Sequence, residues 1–566
     1  ATFILFSSDA ILWDNVNKTV VQPLWLIYIV AVLTLLINRL IKKDRDAFYI
    51  VGGFSVILLA MVVDTFGERG YYNFPRVMGY AFIVFIMSLA LILANHFVRL
   101  NEEVEDLNRN LELKVEERTN QLRKTLGEVQ ELKIQQDGDY FLTSLLIKPL
   151  SGSFGKTKNV SVDILVRQKK RFAFKKWESE IGGDICATDA IELRGRPYTV
   201  FVNGDAMGKS IQGAGGALVL GTVFKSILAR TQQSFNARNK HPEQWLKDAF
   251  IEFQNIFVSF DGTMLMSAVM GLVDDATGLV YFINAEHPWV VLYRNGQASF
   301  IEKELLFRKL GITETGGSIR IQTFQMERDD VLIIGSDGRD DILIGMDQGM
   351  RVINEDEQEF LRRTEEGRGM LPEIEEALYK KGSLTDDFTL IRIAYKEDHP
   401  LDRKEIPVAY REALSLARRS YREGRLAESI EEYRKALQIQ EEAEALHELG
   451  QIFIKQKDYL NAARTIERYL DLNPADTEFL YWLSLSQKHS RELTAAADTG
   501  ERCRLRNPEH RRNLLNLADV YRLLENRERA SMLLELCRKM DPNDPNIERL
   551  EDALARAGKR DSALIE

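Results

Sequence analysis

Aspartates beside glycines recur where strand-like runs begin or end in the middle of the chain. The β-branched and aromatic runs lie at residues 198–203, 331–335 and 388–395. The four acidic motifs beside them are Glu180-Ile181-Gly182-Gly183-Asp184, Gly204-Asp205-Ala206-Met207-Gly208-Lys209, Ser336-Asp337-Gly338 and Asp386-Asp387. Glycine lets the backbone turn sharply, so carboxylates at such strand ends can come together.

Carboxylates gathered in this way indicate a metal site. Several Asp side chains in one place could not all ionise without a cation. Oxygen ligands without paired His or Cys select a hard ion such as magnesium or manganese. Two such ions that share a carboxylate lower the pKa of bound water and can hold both oxygens of a phosphoryl transfer. The motifs therefore predict two-metal hydrolysis of a phosphate ester.

Other interpretations of the single motifs fit less well. One Asp-Gly pair alone is usually a turn. The Gly182-Gly183-Asp184 string resembles the start of a cyclase signature, but Ile185-Cys186 follow where that signature needs Glu and Phe. The 204–210 run resembles a phosphate loop, yet it has three residues between its glycines where that loop has four. Only the ordered set of motifs is specific.

Together with Asn284-Ala285-Glu286-His287-Pro288, the ordered set resembles the SpoIIE-type branch of the metal-dependent 2C-like serine/threonine phosphatases. This resemblance implies an α-β-β-α sandwich over residues 137–396, with two divalent ions, manganese or magnesium, and hydrolysis without a phosphoenzyme. It implies that Asp205 bridges the ions and that Asp184 holds metal-bound waters. The further direct ligands that it implies are the Ala206 carbonyl, Asp337 and Asp386, with Asp387 able to replace Asp386.

The resemblance also suggests a substrate and leaves some residues unassigned. It implies phosphoserine or phosphothreonine on a regulatory protein, for example an anti-sigma-factor antagonist. The alternative is a scaffold whose phosphatase fold is catalytically silent and which acts through C-terminal tetratricopeptide repeats. The motif around His287 has Glu286 where a Gly is common, and we expect His287 to pack and hydrogen-bond rather than act as an acid. The sequence identifies no phosphate-binding cation.

The first 98 residues predict a membrane anchor. Three apolar runs, at 23–41, 47–66 and 77–98, are long enough to cross a hydrocarbon core, which needs about 20 helical residues. The first connection contains four basic residues, Arg39, Lys42, Lys43 and Arg45, and the second has Arg69 and Arg76 beside two acidic residues. The positive-inside rule then puts the first connection, and everything after residue 98, in the cytoplasm. We expect a multi-pass protein of the bacterial inner membrane.

The start of the sequence suggests a longer receptor. Residue 1 is Ala rather than Met, and residues 3–6 look like the end of another apolar run, so we expect the chain to be the C-terminal part of a longer protein. The anchor and the helix after it resemble the last three spans and output helix of bacterial seven-helix receptors, on topology and on Val115-Glu116-Glu117-Arg118-Thr119.

Residues 99–136 predict a coiled coil. The apolar positions Leu100, Val104, Leu107 and Leu111 follow the 4-3-4 spacing of a coiled-coil seam. Val115 comes four residues after Leu111 where three are due, which is a stutter that locally unwinds a supercoil. The pattern predicts a parallel homodimer, whose rod is either a passive spacer or a relay from the membrane to the next domain.

A helical repeat array follows the catalytic region. Residues 397–407 are charged, contain two prolines and form a linker. Asn473-Pro474, Asn507-Pro508 and Asp541-Pro542 recur at 34-residue steps, the period of tetratricopeptide repeats. We predict an all-α solenoid over residues 408–566, with a capping helix at 546–557, whose concave face binds a protein or peptide.

Length and composition agree with this multidomain organisation. A chain of 566 residues suggests about four modules. A net charge of −10, from 75 basic and 85 acidic residues, argues against a nucleic-acid partner. Cys186, Cys503 and Cys537 are too few and too scattered for a disulfide framework, so we expect reduced thiols.

Overall fold

The computed structural model describes residues 10–41, 45–68, 70–73, 75–313, 319–397 and 406–562. The apolar run at 3–6, the basic residues 42, 43 and 69, and most of the linker at 397–407 lie outside the described residues. The chain divides into two compact units, Ala1–Leu132 and Lys133–Glu566.

The first unit consists of apolar helices. They are α1 (Ala10–Val16), a π-helical turn (Asn17–Val21), α2 (Gln22–Ile41), α3 (Arg45–Glu68) and the first part of α4 (Met78–Ile147). Three stretches in them are long and apolar enough to span a membrane, Trp13–Asn38, Ala47–Glu68 and Met78–Leu150, which agrees with the three predicted spans. Ile211–Gln233 also meets that criterion, but half of its most apolar window is buried inside the second unit, so we interpret it as a core helix.

Helix α4 continues from the third apolar stretch through the predicted coiled-coil segment. It runs unbroken past residue 136 and ends at Ile147. The seam residues Leu100, Val104, Leu107 and Leu111 are each about half exposed in the single chain, between 47% and 62%. Exposed apolar residues in coiled-coil spacing leave a surface available for pairing, and the dimer stays a prediction.

The second unit begins with a sandwich of two sheets. Its strands are β1 (Gly152–Ser153), β2 (Val160–Arg167), β3 (Lys170–Phe174), β4 (Trp177–Ile181), β5 (Asp184–Leu193), β6 (Arg196–Ala206), β7 (Met266–Asp274), β8 (Leu279–Ala285), β9 (Val291–Arg294), β10 (Gln297–Phe300), β11 (Gln322–Gln325), β12 (Val331–Gly335), β13 (Ile342–Asp347), β14 (Met350–Ile353), β15 (Ser383–Leu384) and β16 (Phe388–Tyr395). One sheet has the order β1-β5-β6-β7-β8-β11 and the other β10-β9-β12-β16-β2. β3 pairs with β4, and β13 pairs with β14 and β15.

Helices cover both outer faces of the sandwich. They are α5 (Ile211–Gln233), α6 (Phe235–Arg238), α7 (Pro242–Val258), α8 (Glu359–Glu366) and α9 (Leu371–Lys381). Strand residues alternate between the layers, since successive side chains point to opposite faces. In β6, Val200 and Val202 pack under the α5 and α7 side, whereas Phe201 packs between the sheets. In β12, Ile333 faces α8 and α9 while its neighbours face the other sheet. The predicted α-β-β-α sandwich is confirmed.

The C-terminal part is a stack of helix pairs. Its helices are α10 (Val408–Arg422), α11 (Leu426–Ile439), α12 (Ala443–Gln456), α13 (Tyr459–Leu472), α14 (Thr477–His489), α15 (Leu493–Arg506), α16 (Arg511–Leu523), α17 (Arg527–Met540) and α18 (Pro545–Ser562). The 34-residue period predicts equivalent core positions, and Ala462, Ala496 and Ala530 are all fully buried. Small side chains there let the two helices of a pair approach closely, and the predicted solenoid is confirmed.

The repeats dock on the sandwich within the second unit. Glu243 of α7 is fully buried and accepts hydrogen bonds from Arg506 Nε, at 2.8 Å, and Arg502 Nε, at 3.2 Å. The amide of Ile321 donates to the carbonyl of Leu505 at 2.7 Å, and Leu505 joins the apolar core under α7. The α15 end of the array is therefore fixed to the sandwich by buried contacts.

Candidate active site

The hairpin of β5 and β6 brings the first two predicted site residues together. Asp184 opens β5 and lies opposite Asp205 near the end of β6. Asp184 is 2% exposed, and its Oδ2 accepts a hydrogen bond from the Thr389 hydroxyl at 3.0 Å. The amide of Ala206 donates to the Gly183 carbonyl at 3.2 Å, which holds the loop before β5 against the end of β6.

The second sheet supplies the other carboxylates. β12 and β16 are antiparallel, with Gly335 opposite Leu390, so Asp337 just after β12 lies near Asp386 and Asp387 just before β16. The Ser336 amide donates to the Thr389 carbonyl at 3.1 Å. Gly338 is required here, because a Cβ on it would lie 1.9 Å from the carbonyl oxygen of Asp387.

Asp387 joins the loops of the two sheets. Its Oδ1 accepts the Lys169 amide at 2.7 Å and its Oδ2 accepts the Gly183 amide at 2.8 Å. Both of its carboxylate oxygens are therefore used within the protein. Asp386 differs, because its side chain accepts the amide of Asp387 at 2.9 Å through Oδ1 alone.

The carboxylates act on one another electrostatically. Burial, and then the negative charge of Asp205, raise the pKa of Asp184 well above its usual value. Burial and the charges of Asp337 and Asp386 raise the pKa of Asp205 to about 7. Burial, Asp341 and Asp386 raise the pKa of Asp337 to about 6. The pKa of Asp387 is also raised by burial, although the two backbone amides oppose this shift. These carboxylates from distant parts of the chain therefore share one electrostatic environment, in which they raise one another's pKa values.

The oxygen donors of this cluster are of the kind that a hard divalent cation prefers. Asp184 Oδ1 is buried and has no hydrogen-bond partner among the described residues. A Cβ on Gly183 would lie 2.6 Å from the Ala206 carbonyl oxygen and 3.4 Å from Asp205 Oδ1, so this glycine keeps clear the space beside both oxygens. Within the described part of the chain, no three His, Cys, Asp or Glu side chains converge closely enough, as they stand, to ligate one ion.

Sequence reasoning missed two contributors to this site. Asp341 raises the pKa of Asp337, and its own pKa is raised by burial and by Asp386. It lies four residues after Asp337 and has no glycine motif, which left no signal to find it. Thr389 belongs to the Asp386-Asp387-Phe388-Thr389-Leu390 motif, but the sequence assigns it no role, although its hydroxyl donates directly to Asp184.

The Asn284 motif forms a rigid loop beside the carboxylates. Asn284 Oδ1 accepts the His287 amide at 2.8 Å, and Asn284 Nδ2 donates to buried Glu302 at 2.7 Å. His287 is 3% exposed, and its Nδ1 lies 3.0 Å from the Ser267 hydroxyl. Burial and the charges of Arg339 and Lys309 lower the pKa of His287 to about 3, so its ring is neutral near pH 7.

Comparisons with known proteins identify two regions of the chain. Residues 196–396 match the family model described as Stage II sporulation protein E (SpoIIE). Residues 443–476 match a model for the tetratricopeptide repeat. No curated protein matches the chain significantly.

Solved structures with similar parts fall into the same two groups. The RsbU and RsbW domains of Rv1364c from Mycobacterium tuberculosis match with a TM-score of 0.32 and 17% identity, over 50% of this chain and 74% of that one. The PP2C phosphatase domain and regulatory fragment of SpoIIE from Bacillus subtilis match with a TM-score of 0.31 and 15% identity, over 42% of this chain and 64% of that one. YrrB, described as a TPR protein with an unusual peptide-binding site, matches with a TM-score of 0.24 and 20% identity, over 25% of this chain and 75% of that one.

Proposed function

We propose that this chain, which has a SpoIIE-type PP2C phosphatase domain followed by C-terminal tetratricopeptide repeats, hydrolyses phosphoserine and phosphothreonine on a regulatory protein. The resemblance suggests an anti-sigma-factor antagonist or a similar small regulator as that substrate. The supporting observation is that carboxylates from both sheets lie close enough together to raise one another's pKa values.

The proposed metal ligands follow from how each carboxylate is already used. Asp205, the Ala206 carbonyl, Asp337 and Asp386 would hold two manganese or magnesium ions, with Asp205 shared and Asp184 orienting bound waters. Both oxygens of Asp387 accept backbone amides, so we assign Asp386 rather than Asp387 as the direct ligand. When bound, such ions activate water and neutralise the charge of a phosphoryl group. The chain's own contribution is to fix the carboxylates: Thr389 orients Asp184, and Asp387 anchors the Gly183 loop.

The remaining segments suggest where the enzyme is located and how it assembles. The apolar helices and the basic first connection support a multi-pass anchor in a bacterial inner membrane, with the phosphatase and repeats in the cytoplasm. The exposed seam of α4 supports a homodimer through a coiled coil. The repeats would bind a protein or peptide partner on their concave face.

The test is metal-dependent turnover by the full chain in detergent micelles. With p-nitrophenyl phosphate and a phosphoserine peptide, we expect hydrolysis only with manganese or magnesium and none in excess chelator. Asp205→Ala should lower kcat/KM at least ~100-fold, through loss of the shared ligand. Asp347→Ala is the matched control, because Asp347 is an exposed carboxylate on β13 of the same domain.

Two results would reject the proposal. Turnover that persists in chelator would exclude the metal mechanism. If the folded wild-type protein neither hydrolyses these esters nor binds manganese by titration calorimetry, the phosphatase fold is silent and the repeats alone would supply the function. The manganese titration is more direct than the hydrolysis assay, because it tests whether the carboxylates of the described residues, of which no three converge on one ion position in the structure, bind a metal at all.

A further inference from the structure

A cavity of about 540 Å³ opens beside Asp337. Its walls include His287 and Trp289 from the Asn284 loop, Phe300 from β10, and Lys309 from the segment before β11. Trp289 and Phe300 contact each other edge to face, with ring centroids 5.6 Å apart. The cavity therefore gives access to Asp337, one of the proposed metal ligands, beside an aromatic wall formed by Trp289 and Phe300.

Lys309 lies on a segment that is fixed on both sides. On one side, buried Phe307 forms a bridge to Ala285, and on the other Leu310 exchanges backbone hydrogen bonds of 2.8 and 3.1 Å with Met266. The adjacent Gly311 has φ +95° and little space around it for a side chain. Its amide donates to Gln254 Oε1 at 3.1 Å. The backbone of Lys309 is thus held, while its side chain reaches the cavity.

Lys309 is also a cation on this surface that forms no ion pair with a described residue. Its ammonium group has no hydrogen bond or salt bridge to any described residue, although its charge lowers the pKa values of Asp337 and His287. Arg308, next in the chain, pairs with Glu286 at 3.2 Å. Arg339 is 2% exposed, donates to the Trp289 carbonyl at 2.8 Å and lies over the Phe360 ring.

The wall around Lys309 is not uniformly acidic. Three carboxylates that line the cavity are already paired with arginines: Glu286 with Arg308, Asp340 with Arg339, and Asp356 with Arg362. Glu355 and Glu357 are exposed at the cavity's edge. The Arg339 Nη1 atom is buried without a hydrogen-bond partner among the described residues, so the Arg339 guanidinium adds positive charge to the lining of the cavity.

We infer that Lys309 is the phosphate-binding cation of this enzyme, which receives the dianionic phosphoryl oxygens in the cavity between Asp337 and the Trp289–Phe300 wall. This inference rests on the proposed phosphatase function. An ammonium group that has no partner among the described residues and lines the same cavity as Asp337 can donate charge-assisted hydrogen bonds to oxygens that the carboxylates would repel. The chemistry it recognises is a phosphate monoester or free inorganic phosphate.

Phosphate binding tests the inference without any need for turnover. The probe is inorganic phosphate, titrated calorimetrically into the full chain in detergent micelles with manganese present. Lys309→Met should weaken phosphate binding about tenfold, the effect of losing one charge-assisted contact at a partly exposed site. Lys309→Arg should restore most of the affinity. Lys303→Met is the matched control, since Lys303 is an exposed lysine on the same segment and does not line the cavity.

The outcomes separate this inference from the proposed function. If phosphate binds wild type and Lys309→Met with the same affinity, or does not bind wild type, Lys309 is not the phosphate-binding cation, even if the protein hydrolyses esters. If binding depends on Lys309 while no ester is hydrolysed, the subsite stands and the phosphatase function falls. In active protein, Lys309→Met should raise KM for p-nitrophenyl phosphate about tenfold.

Discussion

Removing Glu243 should undock the repeats from the phosphatase domain. Glu243 is fully buried between Arg502 and Arg506, and each guanidinium donates to it. Burial alone would raise the pKa of Glu243, but the two arginines outweigh it and hold the pKa far below the usual range. The carboxylate is therefore ionised at every pH above about 4.5, its ordinary value, and the ion cluster is complete at pH 7.

The cost of Glu243→Ala comes mainly from the arginine left behind. The Arg506 side chain is 1% exposed, so without its partner it becomes a buried unpaired charge. Breaking a buried ion pair in this way costs about 3–5 kcal/mol. If the second unit unfolds as one, this cost lowers its Tm by about 4 °C, from the typical unfolding entropy per residue.

Thermal unfolding of the full chain in detergent, followed by tryptophan fluorescence, measures the effect. Trp245 reports on α7 and Trp482 on the repeats, so undocking should also separate their transitions. Glu252→Ala is the matched control on the same helix, because Glu252 pairs with Arg230 at the surface and should cost below about 1 kcal/mol. The double variant Glu243→Ala/Arg506→Met should regain stability. Equal Tm values for Glu243→Ala and Glu252→Ala would refute the role of the buried cluster.

Two further predictions concern the carboxylate site and the rod. The raised pKa values of Asp205 and Asp337, about 7 and 6, mean that the metal-free fold binds protons more tightly than the unfolded chain and loses stability as pH rises from about 4 through 7. In thermal melts with chelator, Asp205→Asn should therefore raise the metal-free Tm at pH 8 and leave it nearly unchanged at pH 4. An unchanged Tm at pH 8 would contradict the mutual repulsion of the buried carboxylates. Leu111→Asp should weaken a dimer measured by light scattering in micelles, whereas Asn110→Asp, which adds the same charge beside the seam, should not; equal masses for both variants would exclude pairing through α4.

Much of the sandwich follows from short-range patterns in the sequence. The β-branched and aromatic runs at 331–335 and 388–395 coincide with β12 and β16, because such runs are typical of strands. The repeats could also be predicted from the sequence, since their period determines which positions pack in every copy. The four acidic motifs end up in one environment because each stands at the start or end of a strand in two adjacent sheets.

The docking of the repeats had no such signal. Glu243, Arg502 and Arg506 are charged residues on amphipathic helices, and their sequence context is that of a solvated face. Their burial depends on the meeting of α7 and α15, which are more than two hundred residues apart in the chain. The charged, proline-containing segment predicts only a linker between the two domains and does not indicate that they dock. A charge that is buried by a partner from a distant segment resembles an exposed charge in every local property of the sequence.

The roles within the carboxylate cluster also needed the structure, because neighbouring aspartates are chemically identical until their partners are known. Asp386 and Asp387 are interchangeable as sequence letters. In the fold, each oxygen of the Asp387 carboxylate accepts one backbone amide, which links the Lys169 and Gly183 loops through it. A metal at Asp387 would compete with these bonds, and the buried Gly183 amide could not readily replace the one that it donates. Asp386 would lose only the bond to the next amide in the chain, which supports our proposal of Asp386 as the direct ligand.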